Sequence, residues 1–198
     1  MTIKERFREM MTGMALKNAG LNDEQIEKLR DVGYFEAPAS KGHHLAELGG
    51  LAIHSTNVTY WLLKLSETME VKWPRTESPY LVGMLHDLVK TRCYRVVSDA
   101  EQDGPDVDGK RTTARFEYVQ PGYPGHGIAS VMIAQELGIE LRPEEIAAIT
   151  YHMGMFGVGR EYTDKEYNAA IAKFPQQLIA THCADWWAAR VTEGWEGK

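Results

Sequence analysis

The sequence predicts an all-α fold interrupted by one small β-hairpin. Apolar residues recur at three- and four-residue spacing along most of the chain, and the breaks between these runs carry Gly or Pro. Only the stretch from 94 to 124 has a β-branched and aromatic texture. With 198 residues, 43% apolar and 25% charged, the chain reads as one globular domain over 1–198 with a single core.

Residues 1–40 hold two N-terminal helices. The first covers Ile3 to Lys17 and stops at Gly20; Asn22 or Asp23 then caps a second that runs to Val32. The loop "GYFEAPASKGHHLAELGG" feeds a long helix in which Leu51, His54, Val58, Trp61, Leu62 and Leu65 share one face, and Trp73-Pro74 ends it. Ser78 is the expected cap, with Pro79 at the first helical position, of a helix carrying "GMLHDLVKTRCYR" from Gly83 to Arg95. Val82, Leu85 and Val89 recur there at helical spacing, so His86, four residues after Val82, faces the core. "YRVVS" and "TTARFEYV", separated by the acidic "DAEQDGPDVDGK", predict the hairpin inserted within 94–124. Helices resume at Gly127 to Leu137, Pro143 to His152 and Pro175 to Thr192.

Charge and cysteine usage narrow the function classes. A net charge of -6 argues against long nucleic acid as a partner, while leaving room for a small anion in a local positive pocket. The two cysteines, Cys93 and Cys183, both fall in helical patterns, so a disulfide framework is not expected and a reducing cytoplasm is. The N-terminal stretch alternates charge with apolar residues, unlike a signal peptide, and no run approaches the roughly 20 apolar residues of a membrane span.

What demands explanation is a set of inward-facing polar residues. His54 lies on the apolar face of its helix, His86 and Asp87 sit among Val82, Leu85 and Val89, and His152 follows Ile149 by three. Asp185 stands mid-helix, seven residues after Leu178. A buried carboxylate is costly unless paired or bound to metal. Imidazole and carboxylate donors without thiolates suit Fe, Mn, Zn, Ni or Co, and the lack of clustered Cys argues against structural zinc.

The order His54, His86-Asp87, Asp185 resembles the metal-binding signature of the HD-domain phosphohydrolase superfamily, whose all-α helical bundle matches the predicted texture. "HHLAELGGLAIHS" resembles the segment around the first His in several HD hydrolases, including the HD part of some 3′-5′ exoribonucleases. "GHGIAS" with His126 and "ITYHMG" with His152 resemble the two further His positions of binuclear members. The resemblance runs from His43 to Arg190. It implies a first metal on His54, His86, Asp87 and Asp185, a second completed by His126 and His152, and Asp87 as the bridging carboxylate. Two divalent ions are implied, Fe or Mn before Mg, Ni, Co or Zn. His44 is a candidate outer partner, and His43 and His182 are not counted as ligands.

Lys90 stands four residues after His86 and three after Asp87, so its ammonium can reach a group held at the metal, as in HD-x-x-K relatives that cleave phosphate. The function implied is hydrolysis of a phosphate ester of a small substrate, a nucleotide foremost, with Asp87 and Lys90 as catalytic groups. Metal coordination lowers the pKa of water from about 15.7 toward 7. Two other classes are weighed: the mixed-valent di-iron oxygenases that share a six-ligand HD site, and a sensor module without catalysis. Exonuclease-like action on short oligonucleotides is a variant of the first. Arg92 and Arg95 are candidate sources of further positive charge, and Tyr123 is expected to line the pocket. Trp186 and Trp187 are expected to form core beneath Asp185. The stretch 99–110 begins like a calcium loop, but Lys110 stands where a bidentate Glu is required, so a hairpin tip or lid is expected instead.

Overall fold

The computed structural model describes residues 3–42, 44–97 and 116–194. Its architecture is helical: among the described residues there are eight α-helices and one two-stranded sheet. His43 and the acidic loop at 99–110 lie outside the described residues. So do residues 112–115 of the expected second strand.

Helix α1 (Ile3–Asn18) and α2 (Asp23–Asp31) form the N-terminal pair, and α2 begins with a reciprocal cap between Asn22 and Gln25. Helix α3 (Gly50–Thr68) is the central element, packed by α4 (Ser78–Leu85) and by α8 (Pro175–Trp187). Helices α5 (His126–Glu136) and α6 (Pro143–Thr150) pack on each other and close the opposite side. Leu51, Val58 and Leu62 of α3 are fully buried, as are Met84 and Leu85 of α4, Ile133 of α5 and Ile149 of α6. Each such side chain contributes about 1.5–3 kcal/mol of burial. Strands β1 (Tyr94–Val96) and β2 (Phe116–Tyr118) pair antiparallel, with Arg95 opposite Glu117. No described helix is long and apolar enough to cross a membrane.

Four local expectations are corrected. The helix from Ser78 stops at Leu85, and Leu88–Arg92 forms a 3-10 turn rather than continuing the helix to Arg95. The break is stabilised because Val89 N–H donates to Ser130 Oγ of α5 at 3.1 Å. Ser78 does not act as a cap; its hydroxyl donates to Glu145 at 2.7 Å, inside a buried network that Arg75 completes with bonds of 2.7 and 2.8 Å. Helix α7 (Asp164–Lys173), absent from the sequence reading, is started by a Thr163–Glu166 capping box. The last helix gives way after Trp187 to a π turn, Ala188–Thr192.

Two glycines set the helix spacing. A methyl group on Gly83 would come within 2.7 Å of Thr59 Cα, so the bare backbone lets α4 lie close against α3. A methyl on Gly127 would come within 2.7 Å of the Ile149 carbonyl oxygen, and α5 meets the end of α6 only because none is there.

Candidate metal centre

The elements deliver His54 from α3, His86 and Asp87 from the turn after α4, His126 from the first residue of α5, His152 from just beyond α6 and Asp185 from α8. All six come together. His54, His86 and Asp87 form one group of donor atoms within 4.8 Å of one another; Asp87, His126 and His152 form a second, and His86, His152 and Asp185 a third. His54, His86, Asp87 and His152 are buried, and Asp185 and His126 are partly open to a cavity of about 460 Å³.

The imidazoles are oriented alike. His86 Nδ1 donates to the Gly83 carbonyl at 2.9 Å, and His152 Nδ1 to the Ile149 carbonyl at 2.8 Å. His54 Nδ1 lies 3.0 Å from Glu193, and His126 Nδ1 lies 2.5 Å from Glu161. With every Nδ1 engaged outward, every Nε2 is turned inward. Asp87 divides its two oxygens between these nitrogens. Oδ2 lies 3.6 Å from His54 and 3.3 Å from His86, whereas Oδ1 lies 3.6 Å from both His126 and His152. Asp185 Oδ1 adds a second carboxylate 3.1 Å from His54 and 3.8 Å from His86.

Hydrogen bonding does not account for this cluster. His54 Nε2, His86 Nε2 and Asp87 Oδ1 are buried without a hydrogen-bond partner, at a cost of about 1–3 kcal/mol each. His126 Nε2 and His152 Nε2 face each other at 3.0 Å, an approach of two lone pairs unless a cation or a shared proton lies between. Three orphaned atoms in one cluster of imidazoles and carboxylates fit divalent ions of the Fe, Mn, Co, Ni or Zn type. Cys93 lines the cavity, but burial pushes its thiol up to about 11, so it stays protonated and outside the donor set.

Electrostatics follow from the same contacts. Burial alone would push the His54 imidazolium down; the Asp185 and Glu193 carboxylates outweigh it and raise His54 to about 9. Burial and the neighbouring His126 charge lower His152 to about 4, so it is neutral. For Asp87, burial is outweighed by Lys90 and His86, and its carboxyl is held well below the usual range. Lys90 Nζ sits 2.6 Å from Asp87 Oδ2. The 3-10 turn makes that pair, because residues three apart eclipse in it. Burial works against the ammonium, but the Asp87 carboxylate raises its pKa and keeps it charged.

His44 lines the cavity, its imidazole lowered to about 4 by burial and by His54, and its Nε2 lies 3.7 Å from Glu193. His182 Nδ1 donates to the His152 carbonyl at 2.8 Å and so braces the backbone of that histidine. Tyr123 does not line the cavity; it is tied to Arg92 and Glu136 instead. Arg92 pairs with Glu136 and Arg95 with Glu117, and among the described residues the positive side chains on the cavity, beyond Lys90, are Arg160 and Arg190. Trp186 and Trp187 are not core: they are 48% and 49% exposed, and Trp186 lines the cavity.

Glu161 and Glu193 were missed by sequence reasoning. Glu161 lies in a loop with no periodicity to mark it. Glu193 had a signal: it falls eight residues after Asp185, and the π turn, with Glu193 N–H reaching back to the Ala188 carbonyl at 3.0 Å, returns it to the Asp185 side. Comparison of the chain with protein-family models, curated proteins and solved structures finds no match.

Proposed function

We propose that the chain is a metal-dependent phosphohydrolase of the HD type, cleaving a phosphate ester of a small substrate, with nucleotides the class that the sequence resemblance favours. The observation that carries the reading is the division of Asp87, one oxygen toward His54 and His86 and the other toward His126 and His152, with no hydrogen bond to occupy Oδ1. That is the arrangement of a carboxylate bridging two cations.

In this reading His54, His86, Asp87 and Asp185 would hold one ion, and Asp87, His126 and His152 would hold the other. The ions would supply Lewis acidity that makes water a nucleophile near neutral pH and polarises phosphoryl oxygens. The chain supplies the rest. Asp87 and Asp185 are the two inner carboxylates, so two divalent ions leave the site net positive and suited to a phosphate dianion. Lys90, 2.6 Å from Asp87 Oδ2 and on the cavity wall, is the ammonium placed to donate to a phosphoryl oxygen and offset charge developing during attack. Glu193 and Glu161 hold His54 and His126 with Nε2 inward. Water attacks phosphorus, the ester P–O bond breaks, and the departing alkoxide takes up the proton that the water gives up, leaving phosphate and an alcohol.

The test is hydrolysis by the protein loaded with Mn²⁺ or Fe²⁺, without dioxygen, read as release of phosphate from sugar phosphates, nucleoside monophosphates and diphosphates, and as release of the nucleoside monophosphate from cyclic nucleotides and short oligonucleotides. Release that requires the metal and stops with chelator is expected. Oxygen uptake with no phosphate release would replace this reading with an oxygenase on the same cluster.

A further inference from the structure

The wall beside Asp185 is aromatic. Phe156 and Trp186 have ring centroids 5.8 Å apart with planes at 35°, and His182 lies 6.0 Å from Phe156 and 6.3 Å from Trp186. All three rings line the cavity, yet Phe156 is 54% and Trp186 48% exposed. Large rings left open on a cavity wall favour a ligand that covers them. The wall is also held in place. Tyr162 donates its hydroxyl to the Gly154 carbonyl at 2.7 Å, and Gly154, at φ 57°, leaves no room for a methyl against the His182 ring at 3.0 Å. Phe156 therefore projects from a pinned turn.

Position relates this wall to the centre. Trp186 directly follows Asp185, one Cα–Cα step of about 3.8 Å, and His182 is bonded to the His152 carbonyl. A group attached to a phosphate at the centre shares one cavity with these rings. Arg190 lies over Trp186 at 5.6 Å, and Arg160 also lines the cavity. These donors suit a ring with acceptor atoms better than a hydrocarbon one.

We propose that Phe156 and Trp186 form a stacking subsite for the nucleobase of a nucleotide substrate, with Trp186 its specificity-determining residue. The proposal rests on the phosphohydrolase reading for the place of the phosphate, but its test does not require turnover. Stacking on an aromatic side chain changes affinity roughly 5- to 150-fold.

The probes are the 5′-methylenephosphonate analogue of AMP and the corresponding analogue of ribose 5-phosphate, neither of which has the scissile ester bond. Binding to the Mn²⁺-loaded chain is measured by titration calorimetry. At least tenfold tighter binding of the base-bearing analogue is expected, with that advantage lost in Trp186→Ala and reduced in Phe156→Leu. Equal affinity for the two analogues, no binding of either, or an advantage unchanged in both variants would overturn it. So would light scattering showing a dimer that Trp186→Ala converts to a monomer, since the rings would then be an interface. Base-dependent binding without phosphate release from any ester would keep the subsite and remove the phosphohydrolase reading.

Discussion

Replacing Asp87 with Asn preserves shape and removes the charge that both proposed ion positions share. A ligand that binds only the folded state stabilises it by RT ln(1 + [L]/Kd), about 2.7 kcal/mol at a hundredfold excess over Kd. For a chain of this length each kcal/mol moves Tm by about 2–4 °C, so Mn²⁺ at that excess is expected to raise Tm by roughly 5–11 °C. Losing an outer partner of a metal ligand costs about 10–100-fold in metal affinity, and losing the shared carboxylate costs at least the upper figure. At the same Mn²⁺ concentration Asp87→Asn then has [L]/Kd near one, worth about 0.4 kcal/mol, or about 1 °C. Asp87→Asn also strands Lys90, whose ammonium lies 2.6 Å from the carboxylate, and lowers the metal-free Tm. Each shift is measured within one variant, so that loss cancels. The assay is thermal unfolding after chelator treatment, with and without Mn²⁺, Fe²⁺, Co²⁺, Ni²⁺ or Zn²⁺. A shift in Asp87→Asn within 2 °C of the parent's, or no shift in the parent with any of the five, would refute the assignment of Asp87 as the shared ligand.

Four further outcomes are expected. Lys90→Met keeps the stem and removes the ammonium, so metal content by elemental analysis holds while turnover falls about 10²–10³-fold; loss of metal would show that Lys90 supports the ligands instead of the substrate. His54 in the metal-free protein is raised to about 9, so its favourable contacts with Asp185 and Glu193 are fully present below about pH 6.5 and are lost as pH rises through 9. Metal must displace that proton, so affinity measured by calorimetry tightens by up to tenfold per unit from pH 7 to 9. Glu193→Gln retains an acceptor for His54 Nδ1 but not the charge, and weakens metal binding by about 10-fold in the same titration. Gly127→Ala drives a methyl into the end of α6 and lowers stability in denaturant by about 1–3 kcal/mol.

The helices were legible where an apolar stripe is long, and the inner donors where a polar residue interrupts such a stripe. His54 among Leu51, Val58 and Leu62 is the clearest case, and Asp185 after Leu178 the next. Helix α7 was not legible because only Tyr167 on it is buried; its signal was the Thr163-x-x-Glu166 box. The segment of His86 and Asp87 differs in its backbone. Helical periodicity continues through Lys90, three residues after Asp87, whereas a 3-10 turn, bonded to Ser130 of a distant helix, is what pairs Lys90 with Asp87. Glu161 was invisible for a related reason: its role depends on where the loop before α7 meets the start of α5, which no local pattern encodes. The aromatic pair at 186 and 187 has the composition of core and lies at the surface, because α8 spends its inward face on Leu178, Thr181, Ala184 and Asp185.

The π turn after α8 makes the far end of the described chain answer to its middle. Glu193 is fastened to His54 and to Asn57, 139 and 136 residues earlier, through a side chain that is almost wholly enclosed. His54 is in turn one of the inner donors, so what its other nitrogen carries, a proton or a cation, sets how strongly its N–H is drawn to Glu193. A change at the centre would therefore be felt beyond the cavity, in the turn at 188–194 that carries Glu193.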